Sequence, residues 1–246
     1  LRIFCSVFGF ALLKEMGLNK VIVSIALIST IIGHLLALYE NDIKRMLAYS
    51  TIAHLGIIIA VLTVNTKLAL IAGLLHIISH LLMKVSLFTT VGYILQYTPG
   101  FRREDLRGVA YKNIPIFVGF IIAAGGMIGL PPMIGFASKW YVLKAFLAED
   151  LYLGAWIIVI GSILALVYYI KYIIAGFKKI NLEPPEKFRL ILSVFYRERL
   201  VRDVALFFVI AVLVTGIFFK VIFGPIEEVV NVIQNPSRYV QAILGS

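Results

Sequence analysis

Three ionisable residues stand at helical spacing inside an apolar stretch: His76-Ile-Ile-Ser79-His80-Leu-Leu-Met-Lys84. At i, i+4 and i+8 they fall on nearly one face of a helix and rise about 6 Å per step. A charge at membrane depth costs several kcal/mol unless it faces a polar interior, so such residues are read first as functional. A histidine titrates near neutral pH and passes a proton through its two nitrogens. A lysine taken out of water gives up its proton more readily than one in solution. The chemistry these types support at this spacing is proton relay, by His76, His80 and Lys84, with Ser79 as a path-lining hydroxyl between them.

A second constellation is Gly129-Leu130-Pro131-Pro132-Met133-Ile134-Gly135-Phe136-Ala137-Ser138-Lys139-Trp140. Paired prolines remove two amide donors and, with glycine, interrupt a helix. Broken backbone at membrane depth is tolerated only inside protein or beside a wet cavity, and such breaks mark ion sites in transporters. Lys139 follows the break within two turns with no carboxylate nearby in sequence, so it joins the relay, and Ser138 joins the path-lining set. Tyr168, Tyr169, Lys171 and Tyr172 are read between two roles, path lining (Tyr168 and Lys171 above all) and an aromatic belt with a snorkelling lysine. His34 and His54 read as hydrogen-bonded structural residues. Asp42 reads as a helix cap, Glu149-Asp150 as an N-terminal cap, and Gly73, Gly92, Gly125 and Gly126 as close-packing positions.

The elements that carry these residues follow from hydropathy. The chain is 61% hydrophobic with a mean hydropathy of +0.98, against roughly half apolar for an ordinary globular domain. Six membrane spans are expected, near 20–39, 46–64, 68–96, 114–146, 151–177 and 204–223, each close to the ~20 residues a helix needs to cross hydrocarbon. The fourth is broken at Gly129–Pro132. Loops after spans one, three and five hold Lys44, Arg45, Arg102, Arg103, Arg107, Lys112 and the basic run from Lys178 to Arg202, and they outnumber Lys14, Lys20, Lys67, Lys144 and Arg238 opposite. That bias places the first set in the cytoplasm. Two complete spans within 114–146 would put the last basic loops on opposite sides, so one interrupted span is preferred.

The expected organisation is therefore all-α, with residues 1–18 as the end of a preceding helix and its loop, and 19–177 as a five-helix unit. Residues 178–202 form a cytoplasmic loop with an amphipathic helix over Lys187–Arg202, 203–223 the last transmembrane helix, and 224–246 an amphipathic tail. The chain reads as part of something longer or as a split subunit. The net charge of +10 lies in loops between apolar runs, which fits a membrane surface and not nucleic acid. One cysteine, Cys5, allows no internal disulfide and no CxxC site, and the four histidines lack cysteine partners. No metal, redox cofactor or catalytic residue is expected.

Four motifs then occur in order: Asp42-Ile-Lys-Arg-Met-Leu-Ala-Tyr-Ser-Thr-Ile-Ala-His-Leu-Gly56, His76-xxx-His80-xxx-Lys84, Asp105-Leu-Arg-Gly108 and the Gly129–Trp140 segment. Together they resemble the antiporter-like membrane subunits shared by Mrp-type Na+/H+ antiporters, membrane-bound hydrogenases and respiratory complex I, the D-type antiporter subunit in particular. The resemblance implies a fourteen-helix fold with two inverted five-helix repeats, of which this chain carries only the C-terminal part, with spans one to five as the second repeat. It implies that His76, His80 and Lys84 are the central relay and Lys139 the buried lysine of the outer half-channel. The glutamate–lysine pair and a further relay lysine of the first repeat are absent.

The resulting expectation is a multi-pass protein of the cell membrane that translocates protons, or exchanges Na+ for H+, as a subunit of a larger redox-driven or antiporter complex. It would hold no cofactor and perform no catalysis itself. Its partners would be other membrane subunits, including a chain supplying the first repeat. The alternatives are a structural subunit that packs against an active antiporter subunit without conducting, and an independent transporter of a small solute.

Overall fold

The computed structural model describes residues 16–178 and 195–234, with backbone alone for 195–198. In chain order the helices are α1 (Leu18–Tyr39), α2 (Ile43–Val64), α3 (Lys67–Ile94), the short α4 (Val109–Lys112), α5 (Ile114–Ile128), α6 (Ile134–Ala148), α7 (Tyr152–Phe177), α8 (Phe195–Ile217) and α9 (Phe219–Gln234). Four helices, α1, α2, α3 and α7, are long and apolar enough to cross a membrane, and so is the Arg199–Ile217 part of α8. The sixth crossing is the broken pair. At 15 residues each, α5 and α6 are roughly 22 Å long and neither spans alone. The described residues are helical with no strand, beyond a single bridge between Asp42 and Arg102.

Local chemistry sets the boundaries. Asp42 starts α2 by accepting from the amides of Lys44 (2.8 Å) and Arg45 (3.2 Å), as an N-cap should. Asn113 caps α5 by accepting from Ile116 N, with Pro115 just inside the helix where its missing N–H costs nothing. α5 ends at Gly129, whose φ of +95° only glycine adopts without strain. The amides of Gly129 and Leu130 fold back onto Gly125 O and Gly126 O. Pro131 and Pro132 then prevent the helix from resuming until Ile134.

One end of the bundle is tied together by its loops. Ile43 N donates to Phe101 O (3.0 Å) and Arg103 N to Asn41 O (2.8 Å). From α7, Lys171 Nζ reaches Leu38 O and Tyr172 Oη reaches Glu40 O, each at 3.1 Å. The loops after α1 and α3 and the C-terminal end of α7 therefore share one face, the grouping that the charge bias assigned to the cytoplasm. On the opposite face Lys67 pairs with Glu227 of α9 at 2.7 Å.

Two apolar clusters fill the interior. The one nearer the tied loops includes Met46, Leu47, Met83, Leu87, Phe117, Phe120 and Val212. The one nearer the opposite face includes Leu27, Ile57, Val61, Leu70, Leu75, Val142, Phe146 and Ile158. On α1, α2 and α3 the register between these clusters is polar and buried, with Thr30, His34, Ser50, His54, His76, Ser79 and His80. A polar layer at mid-height thus separates two apolar plugs.

Several expectations are corrected. The surface helix over 187–202 is not separate from the last span where it can be seen, because Phe195–Arg202 are the first turns of α8; residues 187–194 lie outside the described part. The last span ends at Ile217, not 223. Hydropathy does not register the break at Phe218, since both flanks are apolar. Beyond it α9 packs Phe219 and Phe223 against Tyr141 of α6. Glu149-Asp150 does not cap α7, whose N-cap position is Leu151, without a side-chain hydrogen bond. These two residues instead close α6, Asp150 in the left-handed region at φ +56°. Gly73 does pack closely, against Leu62, but a Cβ at Gly92 would meet nothing within 4 Å. The stub at 1–13 and the tail beyond 234 lie outside the described residues.

Candidate functional site

The mid-height polar layer gathers the residues singled out by spacing and adds two that were not. His76 and His80 of α3 face α2, where His54 lies between them with ring centroids 5.2 and 5.1 Å away. His54 Nδ1 and His76 Nε2 are 3.1 Å apart, and His76 Nδ1 is 3.0 Å from Ser138 Oγ on α6. Ser138 in turn donates to Gly135 O (3.1 Å), beside the break. On the other side of His54 stands His34 of α1, with centroids 6.0 Å apart. All four imidazoles are buried.

The two lysines bracket this chain. Lys84 is 7% exposed and donates to Leu47 O and Ser50 Oγ on α2, both at 2.6 Å. Lys139 is 5% exposed and donates to Met127 O (2.8 Å), Ile128 O (3.0 Å) and Ser162 Oγ of α7 (2.9 Å). Met127 and Ile128 are the last residues of α5, whose terminal carbonyls have no helical partner. The break therefore presents the partial negative charge of a helix C-terminus to a buried ammonium. Ion pairs among the described residues are Lys67–Glu227 and Arg202–Asp203, both near the surface. Each buried lysine is thus held by neutral acceptors, and charge-assisted hydrogen bonds offset its desolvation.

The other candidates separate. Tyr168 is fully buried and its hydroxyl lies 3.5 Å from His34 Nδ1. Ser79 turns back to Leu75 O on its own helix at 2.6 Å and takes no part in the histidine chain. Lys171 sits at the end of the bundle where the loops are tied, on Leu38 O, away from the layer. A groove of about 300 Å³ opens beside Lys139, walled by Leu130, Phe136, Trp140, Ile158 and Leu166. Among the described residues no three His, Cys, Asp or Glu side chains converge as a metal-ligand set.

Sequence reasoning set His34 and His54 aside because each stands alone on its helix. A signal was available for His54, which falls about midway along its apolar span; His34 stands only five residues before the end of α1, and no comparable signal marked it.

Comparison with known proteins places the chain. A family profile described as NADH:quinone oxidoreductase/Mrp antiporter, TM matches residues 3–165, and the chain belongs to that family. It is 40% identical over 142 residues to NADH-quinone oxidoreductase subunit N of Desulforudis audaxviator, covering 57% of this chain and 28% of that protein. It is 30% identical over 165 residues to subunit N of Deinococcus radiodurans, covering 67% and 34%. Among solved structures, a chain of the Mrp complex from Dietzia sp. DQ12-45-1b superposes with a TM-score of 0.79 at 23% identity, over 92% of this chain and 49% of that one. A chain of the membrane-bound sulfane sulfur reductase, an archaeal respiratory membrane complex, gives 0.77 at 22%, over 92% and 44%. A chain of respiratory complex I from Thermus thermophilus gives 0.72 at 20%, over 92% and 46%. The chain spans about a third of the length of these curated relatives and under half of these solved chains. It is an antiporter-like, multi-pass subunit of the complex I and Mrp type, located in the cell membrane, and these three solved neighbours belong to multisubunit membrane complexes.

Proposed function

We propose that this chain carries the C-terminal half of a proton path, or of a Na+/H+ exchange path, within a multisubunit respiratory or antiporter complex. The observation that carries this reading is the buried layer itself. Two lysines without carboxylate partners stand at either side of His54 and His76, with Ser138 beside Lys139. Apolar plugs above and below leave the layer as the polar continuity at that height. In this reading Lys84 and Lys139 hold the mobile charge, and His54, His76 and His80 pass protons between them. Coupling would come from neighbouring charges that change the protonation of each lysine. A first repeat, in another subunit or in further sequence of the same polypeptide, would complete the path. No redox cofactor is assigned to this chain, and its partners would be membrane subunits, the lipid bilayer and the transported ion.

The competing reading is a structural subunit that packs against an active antiporter subunit and conducts nothing. Purified complex carrying Lys139→Ala or His80→Ala, reconstituted into vesicles with a pH-sensitive dye inside, separates the two. Loss of the ion gradient with intact assembly is the expected result. Unchanged translocation at normal assembly would sink the relay and leave the scaffold.

A further inference from the structure

The structure assigns α8, the last span, the role of a splint across the broken fourth crossing, with Gly216 as the residue that positions Lys139. This deepens the relay reading and rests on it. α8 presents only a narrow stripe to the bundle. Ala205, Val209 and Val212 are buried, whereas Phe207, Ile210, Val214 and Ile217 are exposed. Gly216 continues the stripe, since 205, 209, 212 and 216 stand at i, i+4, i+7 and i+11 on one helix face.

Along that stripe α8 follows α5 and then crosses onto the break. A Cβ at Gly119 of α5 would lie 2.9 Å from Val209 Cγ2. One at Gly126 would lie 3.5 Å from Val212 Cγ1 and 2.8 Å from Sδ of Met83 on α3. At Gly216 the nearest atoms are all backbone. A Cβ there would run into Pro132 O and lie 2.5 Å from Ile134 N and 2.6 Å from Met133 C. Backbone yields less readily than the end of a side chain, so this approach requires glycine.

Beyond the break α6 is held a second time. α8 ends at Ile217, and α9 sets Phe219 and Phe223 against Tyr141, with ring centroids 6.3 and 5.2 Å apart. The Lys67–Glu227 pair ties α9 to the first residue of α3. Lys139 lies in sequence between the two holds on α6. It reaches back to Met127 O at 2.8 Å and Ile128 O at 3.0 Å, so the placement of α6 against α5 decides whether it caps α5. A slip of about 1 Å takes both bonds beyond hydrogen-bonding distance. Residues 129–133 and the contact of Gly135 with Gly126 join the two halves, and a joint of a few residues is a hinge unless something spans it. α8 spans it, touching α5 at two glycines and the first residue of α6 through a third.

The test uses the whole complex in vesicles, with Lys139→Ala as reference. Gly119→Ala is the control, because it crowds the α5–α8 contact away from the break and against a movable side chain. Gly216→Ala is expected to lower translocation at least about tenfold and to displace the midpoint of its pH profile by at least about half a unit. It should also make Lys139 react faster with an amine reagent, measured against Lys84 of the same chain. Phe223→Ala, which loosens the hold of α9 on Tyr141, should move all three readouts the same way by less, and it decides the matter if Gly216→Ala fails to assemble. Gly119→Ala should leave profile and labelling as they are; if it reproduces the effects of Gly216→Ala, general packing accounts for them and the splint is overturned. The splint also falls, and the relay survives, if Gly216→Ala and Phe223→Ala keep the parent's rate, profile and labelling while Lys139→Ala is inactive. Unmodified translocation by Lys139→Ala overturns the relay reading itself.

Discussion

Lys84 and Lys139 answer the same problem, an ammonium inside a membrane, in different ways. Lys84 lies against an unbroken helix. The Leu47 carbonyl it uses also accepts from the hydroxyls of Ser50 (2.8 Å) and Thr51 (3.0 Å), so α2 has donors to spare there. Lys139 lies at a helix end, where two carbonyls of α5 have no helical partner and the ammonium is their cap. At the first site the protein supports the charge. At the second the charge and the broken fold support each other, so the break is part of the ion site and not merely a kink beside it.

That comparison can be broken in several places. The largest effect is expected for Lys139→Ala, where ion translocation should fall at least about tenfold, roughly 1.4 kcal/mol or more of lost barrier lowering; a pH-gradient assay in vesicles reads it. Next comes Gly135→Ala, since a Cβ there would run into the backbone carbonyl of Gly126 across the break. Overpacking of this kind costs about 1–3 kcal/mol, and a lowered unfolding temperature in detergent would show it. A sharper contrast comes from the two methionine variants. Lys139→Met should destabilise the chain by about 1–2 kcal/mol by uncapping α5. Lys84→Met should stay within about 1 kcal/mol of the parent, because Leu47 O keeps its hydroxyl donors and a desolvated charge is removed. Equal losses in thermal unfolding would contradict the distinction between the sites. The smallest effect belongs to Ser162→Ala, which removes one of three acceptors around Lys139 and should cost about 1 kcal/mol, measured the same way.

The crossings and the break were legible because both rest on local chemistry. Apolar runs of span length have few alternatives to a membrane helix, and Gly129 with Pro131 and Pro132 can hardly continue one. His76, His80 and Lys84 were legible as a group because i, i+4 and i+8 lie on one face. The limits lay where one helix must be referred to another. Gly73 and Gly92 look alike in sequence, yet only Gly73 meets a neighbour, because only its side of α3 faces Leu62 of α2. Ser79 sits within the motif but bonds its own helix. Glu149-Asp150 resembled a cap for the helix after it and instead closes the helix before it.

The amino-acid sequence alone determined the heights of the ionisable residues in the membrane, the grouping of the basic loops, and the point at which the fourth crossing breaks. These depend on residues close together in the chain and on transfer from water to hydrocarbon, which acts on each segment separately. The tertiary structure decided that His34, His54 and His76, from three different helices, meet in one layer, and that Lys139 turns back to cap the helix before its own. Position along a helix sets height and face, but which faces meet is settled by close approaches such as Gly33 against Ala53 and His34 against Gly161. Those contacts join residues far apart in the chain, and no local pattern records them.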